Sequence, residues 1–183
     1  MSTTFNVPTR SEVTESNQAI FDQLEKTVGF LPNLYATYAY SKTALGDYLA
    51  LNGRKTTLSG KEKEVINLVV SQINDCLYCL SAHTAIGKMN GFTDDQILEI
   101  RSGNVSFDEK LNALASFTKN ITINRSKPDA EALENLFEAG YSKENLIDIL
   151  MVIGDKTISN FINGATQIPV DFPVAPELET AIA

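Results

Sequence analysis

The sequence predicts an all-α protein of about eight helices, and three observations carry that prediction. Apolar residues recur at helical spacing along almost the whole chain, as in Ile20, Leu24 and Val28 or Leu111, Leu114, Phe117 and Ile121. No segment alternates as a half-buried strand would. The strongest strand candidate, Val65-Ile66-Asn67-Leu68-Val69-Val70, extends to Ile73 so that Val65, Leu68, Val69 and Ile73 share one helical face. Gly29, Pro32, Gly91, Pro128 and Gly140 punctuate the chain where helices should end or begin.

In chain order, the first helix is expected over 11–28, closed by Gly29, and the second over 33–54, opened by Pro32. The third, over 60–73, starts from a capping box, Ser59 with Glu62 three residues on. Asn74 and Asp75 are good caps for a fourth helix over 76–89, with Cys76 in its first turn. Helices over 94–102, 107–122, 128–138 and 143–163 complete the set. The stretch from Gly91 to Ile100 resembles that from Gly140 to Ile149, 49 residues later. Each reads as a helix-ending Gly, a Thr or Ser cap and an amphipathic helix, either a true duplication or a common helix joint. Residues 1–168 read as one helical domain. The tail 169–183, with Pro169, Pro173 and Pro176, should be extended, frayed or laid across a neighbouring subunit.

A chain of 183 residues suits one compact domain or two small fused repeats and needs neither metal nor disulfide to hold a core. Its 15 Lys and Arg against 23 Asp and Glu give a formal charge of −8, which repels a phosphate backbone and argues against nucleic acid. The opening Met1-Ser2-Thr3-Thr4-Phe5 lacks a basic segment leading into an apolar one, so no secretory signal is read there. No run approaches the roughly 18 apolar residues of a membrane span. A cytoplasmic protein with no membrane partner is the expectation. Two cysteines two residues apart cannot staple distant parts of a fold, and a reducing compartment leaves them as thiols. Their role is then chemical or incidental.

Both cysteines and the only histidine, Cys76, Cys79 and His83, fall within eight residues. With Ile86 they follow spacings of three, four and three, one stripe of a helix. A thiol reacts as its anion, which helix N-terminal N–H groups stabilise and a nearby imidazole can produce. A three-residue step sets two Cα atoms about 5 to 6 Å apart, the separation a disulfide prefers, so the pair can close and reopen. Simple core packing of two small hydrophobes and a satisfied histidine would have scattered them. Zinc held by both thiolates, His83 and either Glu64 or Asp75 would be poorly enclosed by ligands on one helix surface. Haem attachment needs His directly after the second Cys, where Leu80 stands, and a thioredoxin-like fold needs a βαβ context that is missing. No metal or cofactor is expected.

With those residues in place, Glu64-x11-Cys76-x2-Cys79-x3-His83 resembles the core motif of the alkylhydroperoxidase AhpD-like family, within the wider carboxymuconolactone decarboxylase-like superfamily. The close resemblance covers residues 59–91, and Asn160-Phe161-Ile162-Asn163 in the last helix is compatible with it. It implies an AhpD-like helical domain assembled as a trimer or hexamer. It also implies a thiol-dependent peroxidase in which Cys79 attacks a small hydroperoxide, Cys76 resolves the product, and His83 and Glu64 relay protons. An external dithiol, on a lipoyl-bearing or thioredoxin-like protein, would reset the enzyme. Helical spacing agrees in part, because Cys79 stands one turn before His83 and closer to it than Cys76. Position alone would put Glu64 on the surface, favoured by the helix dipole, although it borders the apolar face four residues before Leu68. One departure is Tyr78, standing between the cysteines where a well-studied relative has a second His. A phenol is a poor base at neutral pH, which points to the broad peroxidase-related subgroup. Two alternatives use the same residues differently. A redox-sensing or stress-interaction protein would form the disulfide without turnover, and a lactone decarboxylase would have no use for two thiols.

Overall fold

The chain is built around the helix that begins at Ser59. Glu62 N–H donates to the Ser59 hydroxyl while Ser59 N–H donates to the Glu62 carboxylate at 2.7 Å, the capping box read from the sequence. Val65, Ile66, Leu68, Val69 and Val70 are all buried, so this helix is enclosed on nearly every side. The computed structural model describes residues 5–178, and among these it contains nine α-helices and no strand, the all-α architecture expected. They are α1 (Glu15–Val28), α2 (Asn33–Tyr38), α3 (Ala44–Asn52), α4 (Gly60–Ile73), α5 (Leu77–Met89), α6 (Asp94–Ser102), α7 (Glu109–Ile123), α8 (Ala130–Glu138) and α9 (Lys143–Thr166). Central α4 packs against α5, α6, α7 and α9, and α8 closes on α7. The short helices α1 to α3 form a second group that reaches α9 through α2 and α3. The readings made on residues 1–4 and 179–183 lie outside the described residues.

The structure corrects the expected helices in three places. Residues 33–54 are not one helix, because α2 stops at Tyr38 and α3 starts at Ala44. The buried side chain of Asn17 donates to the carbonyls of Ala39 and Ser41 at 3.2 and 3.1 Å, and the Ser41 hydroxyl accepts from Ala44 N–H. Such local polar partners compete with the bonds of a continuous helix. At the N-terminal end, Thr14 caps α1, and the residues before it form a separate 3-10 turn, Arg10–Glu12. Cys76 is the N-cap of α5 rather than a member of its first turn. Other boundaries shift by a few residues, the largest shift being α9, which runs on to Thr166.

The two similar stretches form equivalent joints. Gly91 and Gly140 end their helices with φ of 88° and 91°, a conformation only glycine adopts without strain. Thr93 with Gln96 and Ser142 with Asn145 form capping boxes, and Phe92 and Tyr141 are buried beside them. The described part of the tail is non-helical and is tied to its own chain by hydrogen bonds. Asn33 N–H donates to Asp171 at 2.6 Å, Ala175 N–H to Ser81 Oγ at 3.0 Å, and Arg101 to the Pro176 carbonyl at 2.7 Å. Ile168 and Ala175 are buried in consequence. Among the described residues no helix is long and apolar enough to cross a membrane.

Candidate active site

The site begins where α4 hands over to α5. Asp75 takes a left-handed conformation, φ 51°, which an aspartate tolerates better than most residues, and the chain turns so that Cys76 N–H donates to the Ser71 carbonyl at 2.9 Å. Asn74 donates to Asn160 of α9 at 2.9 Å, and Asn160 donates to Ser71 Oγ at 3.3 Å, so the turn is tied to the last helix. As N-cap, Cys76 accepts the Cys79 N–H on its sulfur at 3.3 Å. The helix-end stabilisation expected for the cluster therefore falls on Cys76. Cys76 and Cys79 are joined as a disulfide with Cα atoms 5.3 Å apart, within the range that a three-residue step implies.

One turn further along α5, His83 meets Glu64 of α4. His83 Nδ1 lies 2.7 Å from Glu64 Oε2, and Asn67 donates to Glu64 Oε1 at 3.0 Å. Glu64 is only 6% exposed, so the surface position suggested by its place in the helix is wrong. Packing of α5 on α4 covers it. Burial pushes its carboxyl upward, but His83, Asn67 and Lys156 together outweigh burial and hold it below the usual carboxylate value. Burial likewise pushes His83 below the usual imidazole value, against the pull of Glu64. The pair therefore rests as carboxylate and neutral imidazole, with Nδ1–H donating to Glu64 and the lone pair on Nε2 free to take a proton.

Cys79, His83 and Glu64 all line one cavity of about 630 Å³. Its walls are largely apolar and aromatic, including Phe30, Tyr35, Tyr48 and Phe172. Cys76 does not line it. The Cys76 sulfur points instead to Asn163 of α9, whose Oδ1 is 3.5 Å away and is placed to accept from the thiol once the disulfide opens. Tyr78, between the cysteines, is a wall and a fastener. Its hydroxyl accepts the Leu34 N–H at 3.1 Å, its ring packs edge-on against Phe172, and burial pushes its phenol far above the ordinary value. It is no base. Of the residues weighed for zinc, Glu64 meets His83, the two sulfurs are joined to each other, and Asp75 is exposed.

Three cavity residues escaped the sequence reading: Asn67, Asp155 and Lys156. The signal was present for two of them. Along α9 the buried positions include Ile149, Val152, Asp155, Lys156 and Ser159, so that Asp155 and Lys156, like Asp148 a turn earlier, put charge where the helical period demands core residues.

Residues 39–119, the span that holds all four residues of the motif, match the carboxymuconolactone decarboxylase family. The chain is 24% identical over 119 residues to the uncharacterized protein YdfG of Bacillus subtilis (strain 168), covering 64% of this chain and 77% of that one. Among solved structures it resembles an uncharacterized peroxidase-related protein with an alkylhydroperoxidase AhpD core from Ralstonia eutropha JMP134. That likeness has a TM-score of 0.82, 20% identity and 91% coverage of each chain. It also resembles the debrominase Bmp8 in complex with 2,3,4-tribromopyrrole, with a TM-score of 0.74, 20% identity and coverage of 90% and 89%. At these identities the structural likeness establishes the fold.

Proposed function

We propose that this chain, whose residues 39–119 match the carboxymuconolactone decarboxylase family and whose fold is AhpD-like, is a thiol-dependent peroxidase that works through a Cys79 sulfenic acid and a Cys76–Cys79 disulfide. One observation carries this reading. A cysteine that can pair with its neighbour shares a cavity wall with a neutral histidine held by a buried carboxylate.

In the reduced protein, His83 Nε2 takes the proton of Cys79, and Glu64 steadies the resulting imidazolium. The thiolate attacks the terminal oxygen of ROOH. A sulfur–oxygen bond forms, the oxygen–oxygen bond breaks, and the departing RO⁻ takes the proton back from His83 as ROH. Cys76 then attacks the Cys79 sulfur, its proton leaves with the hydroxyl as water, and the disulfide forms. Its accepted N–H from the head of α5 helps Cys76 to act as a thiolate. An external dithiol, lipoyl-bearing or thioredoxin-like, restores both thiols by exchange and is itself oxidised. No bound cofactor enters the cycle, and a cytoplasmic thiol pool would suit it.

The test is steady-state reduction of a hydroperoxide with excess dithiol. A catalyst consumes many equivalents, whereas a redox sensor using the same disulfide stops after one. A second reading draws on the aromatic walls, which suit a ring better than a small peroxide, and on the likeness to a debrominase. The same thiols could exchange an aryl halogen for hydrogen, the halogen passing as X⁺ to the Cys79 thiolate, the ring carbon taking the proton held by His83, and the halogen leaving as halide when Cys76 closes the disulfide. Halide release from a halogenated aromatic would mark it. A lactone decarboxylase is disfavoured, since it leaves both thiols idle. Homo-oligomerisation, as a trimer or hexamer, is supported by Ile147, Leu150, Met151, Ile158 and Phe161, an exposed apolar stripe along α9. Sedimentation as a monomer alone would remove that part of the proposal.

A further inference from the structure

Beside the Glu64–His83 pair the cavity carries polar atoms that the peroxide cycle leaves unused. Lys156 lines the cavity, is 4% exposed, and makes no hydrogen bond or ion pair among the described residues. Asp155, also on the wall, accepts from Asn52 through Oδ2 at 2.7 Å, while its buried Oδ1 has no partner. Asn67 spends its amide N–H on Glu64 and leaves a buried Oδ1 unpartnered. Buried polar groups without partners are costly, and all three residues line the same cavity, where a ligand can supply what the protein does not.

The chemistry of that ligand follows from the inventory. One donor, the Lys156 ammonium, and two acceptors, Asp155 Oδ1 and Asn67 Oδ1, call for a group that can both accept and donate. Burial draws the Lys156 ammonium below the ordinary lysine value, against the fields of two carboxylates, Asp155 and Glu64, so this part of the cavity has no excess positive charge to hold an anion. The rest of the lining is mainly apolar, with Arg54, tied to Asp148, and Lys63 as its other cations.

We propose that Lys156, Asp155 and Asn67 form a subsite for the hydroxyl group of an uncharged, otherwise apolar ligand, an alcohol or a phenol. The hydroxyl oxygen accepts from Lys156 and its hydrogen goes to Asp155 or Asn67. Carboxylate-bearing ligands are disfavoured. This narrows the substrate class of the cavity, and it rests on the peroxidase reading only for the statement that the molecule bound here is also the one turned over.

Calorimetric binding to the oxidised protein, whose closed disulfide prevents turnover, tests the subsite apart from catalysis. The probes are para-propylphenol, phenylpropanol, propylbenzene and para-propylbenzoate. The hydroxyl-bearing probe that fits better, aryl or alkyl, should bind about tenfold more tightly than propylbenzene, with the benzoate weaker than either hydroxyl probe. Lys156→Met should bring that hydroxyl probe down to the level of propylbenzene and leave propylbenzene unchanged. A benzoate that binds as tightly as the phenol, or hydroxyl probes no tighter than propylbenzene, overturns the proposal even where the variant fails to fold. An unchanged preference in folded Lys156→Met does the same. Peroxide turnover without hydroxyl preference would sink this subsite alone, and hydroxyl preference without turnover would sink the peroxidase reading alone.

Discussion

Helix α4 divides two regions of equal depth and opposite character. On one side Val65, Leu68 and Val69 join Ile97, Leu114, Phe117, Leu136 and Ile149 in an almost wholly apolar core. On the other, Glu64 bonds His83 and lines a cavity together with Asn67, Asp155 and Lys156. The first region gains its free energy from burial and close packing. The second gives some up, since it buries charges that water would hold more cheaply. The contrast teaches that one rigid helix holds reactive groups in place because its other face is locked. Packing and chemistry should therefore respond to mutation independently, and in part with opposite sign.

The largest break expected is at Cys79. Cys79→Ser should lower peroxide turnover by about a thousandfold or more while urea unfolding barely moves. In the apolar core the pattern inverts. Phe117→Ala should cost about 3–5 kcal/mol in urea unfolding, yet each molecule still folded at low temperature should turn over normally. Glu64→Gln should reduce turnover by about a hundredfold, because His83 loses the charge that supports its protonated state, with little change in stability. Lys156→Met sharpens the comparison most, for it removes a large buried side chain's charge without a cavity. Stability should rise by about 1–3 kcal/mol, the opposite of the core truncation, measured by the same urea titration.

The smallest effect is on pH dependence. His83 titrates below its ordinary 6.5 and Glu64 below its ordinary 4.5 in the folded protein. In both cases the unfolded chain binds protons that the native chain refuses, so stability is fully present above the ordinary values and drains away as pH falls toward the folded ones. Thermal unfolding of the unaltered protein should weaken on acidification from neutral pH toward the carboxylate range. In His83→Gln the upper part of that decline should vanish. A decline of equal slope in the variant would place its cause elsewhere.

What could be read from the sequence was local. The Ser59–Glu62 box, the joints at Gly91 and Gly140, and the Cys76–Cys79 pair all depend on short spacings, and the structure holds each. What could not be read depends on partners distant in the chain. The break after Tyr38 needs Asn17, 22 residues before the Ala39 carbonyl it captures, and the tail docks through Asp171 on Asn33, 138 residues away. Burial of Glu64 follows from α5 lying over it, which the pattern of α4 does not state. Asp155 and Lys156 stand in phase with the buried face of their helix, but only the fold shows that this phase points to a cavity. Cys76 was placed one position too deep, because Asn74 and Asp75, each a capping type, were spent on the turn before it.

The most direct test is chemical. Reduced Cys76→Ser is treated with one equivalent of hydroperoxide, trapped with a sulfenic-acid reagent, and mapped by peptide mass. The account predicts a single adduct on Cys79 that forms much more slowly when Glu64→Gln is added. Peroxide consumed with Cys79 unmodified, or an adduct formed at the same rate without the Glu64 carboxylate, would contradict it.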